Sequence, residues 1–423
     1  MARIAIVDLT FNWPPVGGCW VDLKEIADRL VLAGHHVELF APSFQDYYPR
    51  GKVEVDLSFP VHTIPFNRFT FNAYQVGSRF RKALRDFQPD LVFVGDGYHM
   101  KGAILPYLQE WPVVLRFYAY EIICINLHYY LYHEGRVCDG NFIEDPQRCH
   151  RCWYRSRLSV PRHAIGIIAG VEDRHPALHF SQEYFGSFAF TSHYRKNIRH
   201  WLGIPKTIVV YNSFIQDMLS KYNPNVRIIP SGVDTNRFQP ADSSEEQGRI
   251  PAVLMTGRVN DELKGFPIVK EACDRLHSEG VPFKLLITAA MNMDVEAPYL
   301  ENLGWVDQEE LPSLYHRGDI SLVPSTWIEP FGITAVESMA TGIPVIASRI
   351  GGLETTTVDG ETGYLIPPGD VDAMTQSLRK LLSDASLRQR LGAAGRKRAQ
   401  EHFDWDVIVN KHYLPLIDEM VHT

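Results

Sequence analysis

A chain of 423 residues exceeds what a single hydrophobic core usually organises, so two domains are expected. Its 50 acidic against 42 basic residues leave a net charge of −8, which argues against nucleic acid as the main partner. No apolar run approaches the ~18 residues of a membrane helix, so a cytoplasmic location with at most peripheral membrane contact is expected.

The first apolar run, Ile4 to Leu9, is interrupted by Asp8; it is too short for a signal peptide and reads as a first strand. Val37 to Phe40, Leu91 to Val94 and Val113 to Leu115 read as further buried strands. Val21 to Leu32 and Val76 to Phe87 carry helical spacing between them, the second rich in Arg and Lys on its outer side. Phe188 to Phe190, Ile208 to Val210 and Val226 to Ile229 continue the strands, with helices starting near Ser192 and Ser213. This is the alternation of a doubly wound parallel sheet.

Pro230, Ser231 and Gly232, then the polar run Asp242 to Gly248, mark a linker over 231–250. A second series follows over 251–402, with strands at Val253 to Met255, Lys284 to Ile287, Ile320 to Val323 and Val345 to Ala347. Its helices fall at Pro267 to Leu276, Thr334 to Ala340, Val371 to Leu382 and Ser386 to Glu401. The segment 403–423 is a last helix with no strand after it. The expected architecture is α/β: Rossmann-like domains over 1–230 and 251–402 facing a cleft, with ligands outside the carboxyl ends of the strands.

After the strand ending at Val323, a turn carries Glu329, and a helix beginning near Ile333 carries Glu337. Seven residues separate these carboxylates, too many for a close acid–base pair. They suit two anchors on one extended ligand, with amides of the first helical turn pointing at it. The plain alternative is a helix start with two solvated acids.

The stretch from Pro324 to Gly369, including Gly342, Ile343, Pro344, Val345 and Ile350, Gly351, Gly352, resembles the E-x7-E segment of the family-four retaining glycosyltransferases. That resemblance implies the GT-B fold, with the C-terminal helix returning to the N-terminal domain. It also implies a nucleotide-sugar donor, UDP-sugar foremost, and a carbohydrate or other small-molecule hydroxyl acceptor. In such enzymes the first Glu, here Glu329, faces the donor sugar hydroxyls and the second, here Glu337, the ribose. Amides at Phe331, Gly332 and Ile333 would address the sugar and diphosphate. Arg258 and Lys264, in the loop after Met255, resemble the family's cation pair that replaces a metal ion on the leaving diphosphate, so no cofactor is expected in catalysis. Gly17 and Gly18 resemble its N-terminal glycine loop. One departure is plain: Tyr118 stands where many relatives carry a His, with His99 as a substitute or a structural residue. Rivals are a nucleotide-sugar epimerase, turning over donor without acceptor, and a catalytically silent nucleotide-sugar-binding protein.

Cys124, Cys138, Cys149 and Cys152 cluster in an insertion over 121–155, with thirteen, ten and two residues between neighbours. Four thiolates suit one tetrahedral structural zinc that would staple a segment lacking regular structure between Asn126 and Trp153. Unliganded thiols and a redox pair are the alternatives. Cys19 and Cys273 read as ordinary buried cysteines.

Overall fold

The computed structural model describes residues 1–15, 17–44, 50–126, 128–132, 134–158, 182–241, 249–289 and 295–422. The chain divides into two compact units, Met1–Ile229 with Val409–Thr423, and Pro230–Ile408.

In the first unit the strands are β1 (Arg3–Val7), β2 (His36–Ser43), β3 (Val61–Pro65), β4 (Leu91–Val94), β5 (Val113–Arg116), β8 (Thr207–Val210) and β9 (Val226–Ile228). They form one sheet in the order β3-β2-β1-β4-β5-β8-β9, every pairing parallel. Continuous apolar runs such as Ile4 to Val7 form strands buried on both faces because helices cover both sides of a parallel sheet. Helix α1 (Gly18–Leu32) buries Trp20, Leu23, Ile26, Ala27 and Leu30, the stripe a 3.6-residue period lays on one face. Helix α2 (Ala73–Phe87) starts at Asn72, whose side chain accepts from the Gln75 amide. Helices α3 (Tyr98–Ile104), α4 (Pro146–Leu158), α5 (Ser192–Trp201) and α6 (Ser213–Leu219) follow.

Two expectations need correction here, and two elements were not anticipated. Phe188 to Phe190 is a turn and not a strand: Phe188 has φ 58°, and Thr191 already caps α5, leaving too few residues to pair. The insertion has regular structure, a hairpin of β6 (Tyr130–Leu131) and β7 (Arg136–Val137) followed by α4. Strand β3 and helix α3 were not legible, being short and weakly patterned.

The second unit has β10 (Ala252–Met255), β11 (Lys284–Ile287), β12 (Leu300–Asn302), β13 (Ile320–Val323), β14 (Val345–Ser348) and β15 (Gly363–Ile366), ordered β12-β11-β10-β13-β14-β15 and all parallel. Helices α7 (Phe266–Ser278), α8 (Ile333–Ala340), α9 (Val371–Ser383) and α10 (Ala385–Arg398) pack on it. Its core gathers Val253, Leu285, Ile320, Ile346, Leu378 and their neighbours.

Residues 230–241 are not a free linker. Val233 pairs with Asp404, Phe238 is buried, and Arg396 donates to the Phe238 and Thr235 carbonyls. The run 242–248 lies outside the described residues. Helix α11 (Leu414–His422) belongs to the first unit, where Arg227 holds Glu419 at 2.5 Å and Tyr413 packs 6.1 Å from Phe93. Among the described residues no helix is long and apolar enough to cross a membrane.

Candidate functional site

Each sheet has one place where the chain's direction of progress reverses. In the second unit β10 leads outward through β11 to β12, and β13 leads the other way through β14 to β15. The loops leaving neighbouring β10 and β13 diverge there, opening a crevice at their carboxyl ends. Of the residues singled out by the sequence, Arg258 and Lys264 lie on the first of those loops and Glu329 on the second.

Lys264 and Glu329 are brought together: the ammonium lies 3.0 Å from Oε2 and 3.3 Å from Oε1 of the carboxylate. Glu329 also accepts from the Ser325 hydroxyl at 2.9 Å and the Trp327 indole N–H at 3.0 Å. Gly265 makes this approach feasible. Its φ is 78°, and a Cβ there would lie 2.0 Å from the Pro324 carbonyl oxygen. The amide of Thr326 meets the Leu263 carbonyl at 2.9 Å, so the loops are tied by backbone as well as by charge.

Helix α8 begins at Gly332, in the left-handed region with φ 93°, and no side chain caps it. Its first turn holds no acid, and Ile333 and Thr334 are half-buried, so its positive end is open to an anion. One turn on, Glu337 is buried and accepts from the Tyr315 hydroxyl at 2.8 Å. Burial raises its carboxyl from 4.5 to about 7, opposed by that hydrogen bond and by Arg237. Phe331 is buried, its ring 5.8 Å from Phe403. Arg258 is exposed in the loop after β10, behind Gly257, whose amide donates to the Thr288 hydroxyl at 2.7 Å.

The first unit has the equivalent reversal between β1 and β4. Gly17 and Gly18 are exposed at the start of α1, which has no side-chain cap and no acid in its first turn. Beneath them lies a buried charge cluster that sequence reasoning missed. Asp8, at the end of β1, accepts from the amides of Thr10 and Asp96. Lys101 is fully buried and donates to the Arg116 carbonyl at 2.7 Å and to Glu121 Oε1 at 3.3 Å. Glu121 accepts from the amides of Tyr118 and Ala119, both at 2.9 Å, fixing the turn that carries Tyr118. Burial, and then the Glu121 charge, raise Asp96 to about 7. The available signals were Asp8 breaking an apolar strand and Lys101 inside an otherwise apolar helix.

Tyr118 is buried, its hydroxyl without a hydrogen-bond partner among the described residues. His99 is 2% exposed, with rings of Phe142, Tyr184 and Tyr194 at 5.2, 6.0 and 6.2 Å. Burial, then His150, lower its pKa to about 3, so it stays neutral. This is a core packing environment, and the ligand-contact expectation for His99 is corrected to the structural one.

The insertion's four cysteines share a neighbourhood: beyond burial, the Cys149 thiol is raised by Cys124, Cys138 and Cys152. Cys149 and Cys152 lie one turn apart on α4 and not in a knuckle turn. Among the described residues no group of three or more His, Cys, Asp or Glu is arranged to hold a metal ion.

The model for "Glycosyl transferases group 1" matches residues 237–398, and that for "Glycosyl transferase 4-like domain" matches 17–164. The chain is 30% identical over 301 residues to an MMP alpha-(1->4)-mannosyltransferase of Mycolicibacterium hassiacum, covering 65% of this chain and 69% of that protein. It spans 38–51% of the length of several other curated relatives. Sucrose-phosphate synthase from Thermosynechococcus elongatus superposes with TM-score 0.68 at 19% identity over 100% of both chains. Anabaena HepE in complex with UDP and glucose superposes with TM-score 0.62 at 14% identity over 99% of this chain and 100% of that one. With Lys264 and Glu329 joined where the strand order reverses, and with this likeness along the chain, the protein belongs to the family-four type of glycosyltransferases with the GT-B fold.

Proposed function

We propose that the chain transfers a hexose-type sugar from a nucleotide-sugar donor, a UDP-sugar foremost, to a carbohydrate or other hydroxyl acceptor, with retention and without a catalytic metal ion. The observation that carries this reading is the Lys264–Glu329 pair beside the uncapped start of α8. A diphosphate leaving group needs positive charge where the glycosidic oxygen departs. Lys264, Arg258 and the amides of Phe331, Gly332 and Ile333 supply it, while Glu329 faces sugar hydroxyls and Glu337 the ribose. No carboxylate is free to act as nucleophile at Glu329, whose oxygens already serve three donors. The acceptor oxygen therefore bonds to the anomeric carbon on the face that the phosphate oxygen leaves, and the acceptor proton passes to the departing diphosphate. Gly17, Gly18 and Tyr118 serve the acceptor side. A solved relative that holds UDP and glucose supports the donor class. The test is a panel of UDP-, GDP- and ADP-sugars with hydroxyl acceptors, reading the product anomer by NMR. Inverted product, or donor turnover with no acceptor present, overturns the proposal.

The structural zinc is likewise a proposal, resting on four thiols in one neighbourhood and not on a formed shell. Burial raises Cys124 to about 12, so a cation has to displace its proton before the thiol can ligate. Elemental analysis after purification without metal-affinity resin is expected to find about one zinc per chain, lost in Cys149→Ser. Metal-free protein of unchanged stability overturns it.

A further inference from the structure

Four aromatic side chains of the first unit stand in solvent: Phe69 at 83%, Tyr74 at 66%, Phe185 at 54% and Phe190 at 45% exposed. They come from two segments that abut. A Cβ on Gly186 would lie 2.7 Å from the Phe71 carbonyl oxygen, and the Phe188 ring sits 6.3 Å from those of both Tyr74 and Phe190. The same segments bury other rings: Phe71 stacks on Phe44 at 4.9 Å, and Phe66 on Phe80 at 6.3 Å. The exposed rings are therefore not leftovers of a small core: Tyr74, Phe190 and Phe185 are linked ring to ring through Phe188, and Phe69 lies on the segment that abuts them at Phe71.

The charge around them is one-sided. From Asn67 to Arg85, and from Tyr184 to Gln216, there is no Asp or Glu, in a chain whose net charge is −8. On α2, Tyr74, Ser78, Arg81 and Arg85 recur at helical spacing along one stripe, with exposed Lys82 beside it. On α5, exposed Lys196 lies little more than one turn beyond Phe190. Carboxylates stand at the far ends of the helices: exposed Asp86 follows Arg85 on α2, one turn from Lys82, Glu110 pairs with Arg85 at 2.6 Å, and Glu144 lies beside Arg199. The segments that bear the aromatic cluster carry no exposed carboxylate, and the nearest exposed lysines are Lys82, about two turns along α2 from Tyr74, and Lys196, six residues after Phe190.

We propose that this face docks on a membrane surface carrying anionic lipid headgroups, with Phe69, Tyr74, Phe185 and Phe190 entering the interfacial layer and Lys82 and Lys196 meeting lipid phosphates. Aromatic rings suit that layer because one side of it is apolar and the other wet. Basic residues add attraction to an anionic leaflet that a neutral one does not give. The proposal is independent of the transfer reaction.

The test is co-sedimentation of the full chain with vesicles of phosphatidylcholine alone, and of phosphatidylcholine with phosphatidylglycerol in equal parts. Binding to the anionic vesicles only is expected, weakening as salt rises. Lys82→Gln with Lys196→Gln should weaken it about twentyfold, on the order of fivefold per charge. Phe69→Ser with Phe190→Ser should weaken it about tenfold, since both rings leave the interface. These side chains are exposed, so thermal unfolding should not move. No binding to anionic vesicles overturns the proposal, as does equal binding to neutral ones. If the lysine pair matters and the phenylalanine pair does not, the face binds soluble polyanions, and the membrane reading is wrong.

Discussion

Lys264 Nζ lies 3.0 Å from Glu329 Oε2, joining two residues sixty-five positions apart on the loops that leave β10 and β13. Neither side chain is deeply buried, at 26% and 12% exposed, so the pair can open to a ligand. A diphosphate arriving there would exchange one anion for another around Lys264. Lys264→Ala is expected to lower kcat by about 10²–10³, the usual loss when a group stabilising developing charge is removed. Glu329→Gln should lower kcat and blur discrimination between donor sugars while leaving free UDP affinity within about twofold, since a sugar-facing contact is worth little to a ligand without the sugar. Calorimetry with UDP, beside steady-state kinetics, separates the two effects; equal losses in both measurements would refute the division of roles.

Much of this site was legible in sequence, but not its pairing. Glu329 and Glu337 were identifiable by their spacing and the E-x7-E resemblance, and Arg258 and Lys264 by their place in the loop after a clear strand. That Lys264 would bond Glu329 depends on β10 and β13 being neighbours, which follows from the sheet order and not from any local pattern. The charge cluster of the first unit was hidden for a related reason. Asp8, Lys101 and Glu121 come from three separate segments, and each alone reads as an ordinary polar residue. Phe188 to Phe190 misled because alternating aromatics suit an exposed turn as well as a strand. His99 shows the reverse: a histidine near glycine draws attention, yet three aromatic side chains and burial make it a neutral packing residue.

Glu337 should give donor binding a pH dependence. Its carboxyl is raised to about 7 in the folded protein, so near neutral pH the free enzyme is partly protonated. If the ribose hydroxyls donate to the ionised form, affinity for UDP-glucose should rise with pH and level off above about 7. UDP-glucose is the suitable probe because its diphosphate lacks the terminal ionisation that free UDP has. Glu337→Gln should bind more weakly at pH 8 and show no such slope. A slope that survives in the Gln variant would assign it to another group.

The same shift has a sign for stability. A raised acid binds more protons folded than unfolded, so its contribution falls as pH rises from about 4.5 towards 7 and stays low above. Without ligand, Glu337→Gln should therefore be more stable than the parent at pH 8, by on the order of 2–3 kcal/mol, and no more stable at pH 4. Urea unfolding at the two pH values measures the difference. A gain of equal size at both would mean that the carboxylate is already paid for by its neighbours.

Turnover should not need a divalent metal if, as proposed, Lys264, Arg258 and the start of α8 meet the diphosphate charge. Activity after treatment with EDTA is expected to stay within about twofold of the untreated enzyme, with magnesium or manganese adding nothing further. Complete loss on chelation, restored by magnesium or manganese but not by zinc, would show that the cations of this chain are insufficient.

The Lys101–Glu121 pair makes a prediction about the first unit that separates holding the fold from holding the site. Both side chains are buried, and Glu121 clamps the amides of Tyr118 and Ala119. Removing one partner strands a charge away from water, so Lys101→Met should destabilise the unit by about 3–5 kcal/mol. Glu121→Gln keeps an amide oxygen that can still accept from one backbone N–H, and Lys101 keeps its bonds to the Gly95 and Arg116 carbonyls, so this variant is expected to cost less. The Tyr118 hydroxyl has no partner among the described residues, so Tyr118→Phe should leave the unfolding midpoint nearly unchanged. If that hydroxyl meets the acceptor, as proposed, Tyr118→Phe raises the acceptor KM, and Glu121→Gln raises it as well through the displaced turn. Donor KM should move in neither variant. A Tyr118→Phe enzyme with unaltered acceptor kinetics would leave the clamp a purely structural part of the fold.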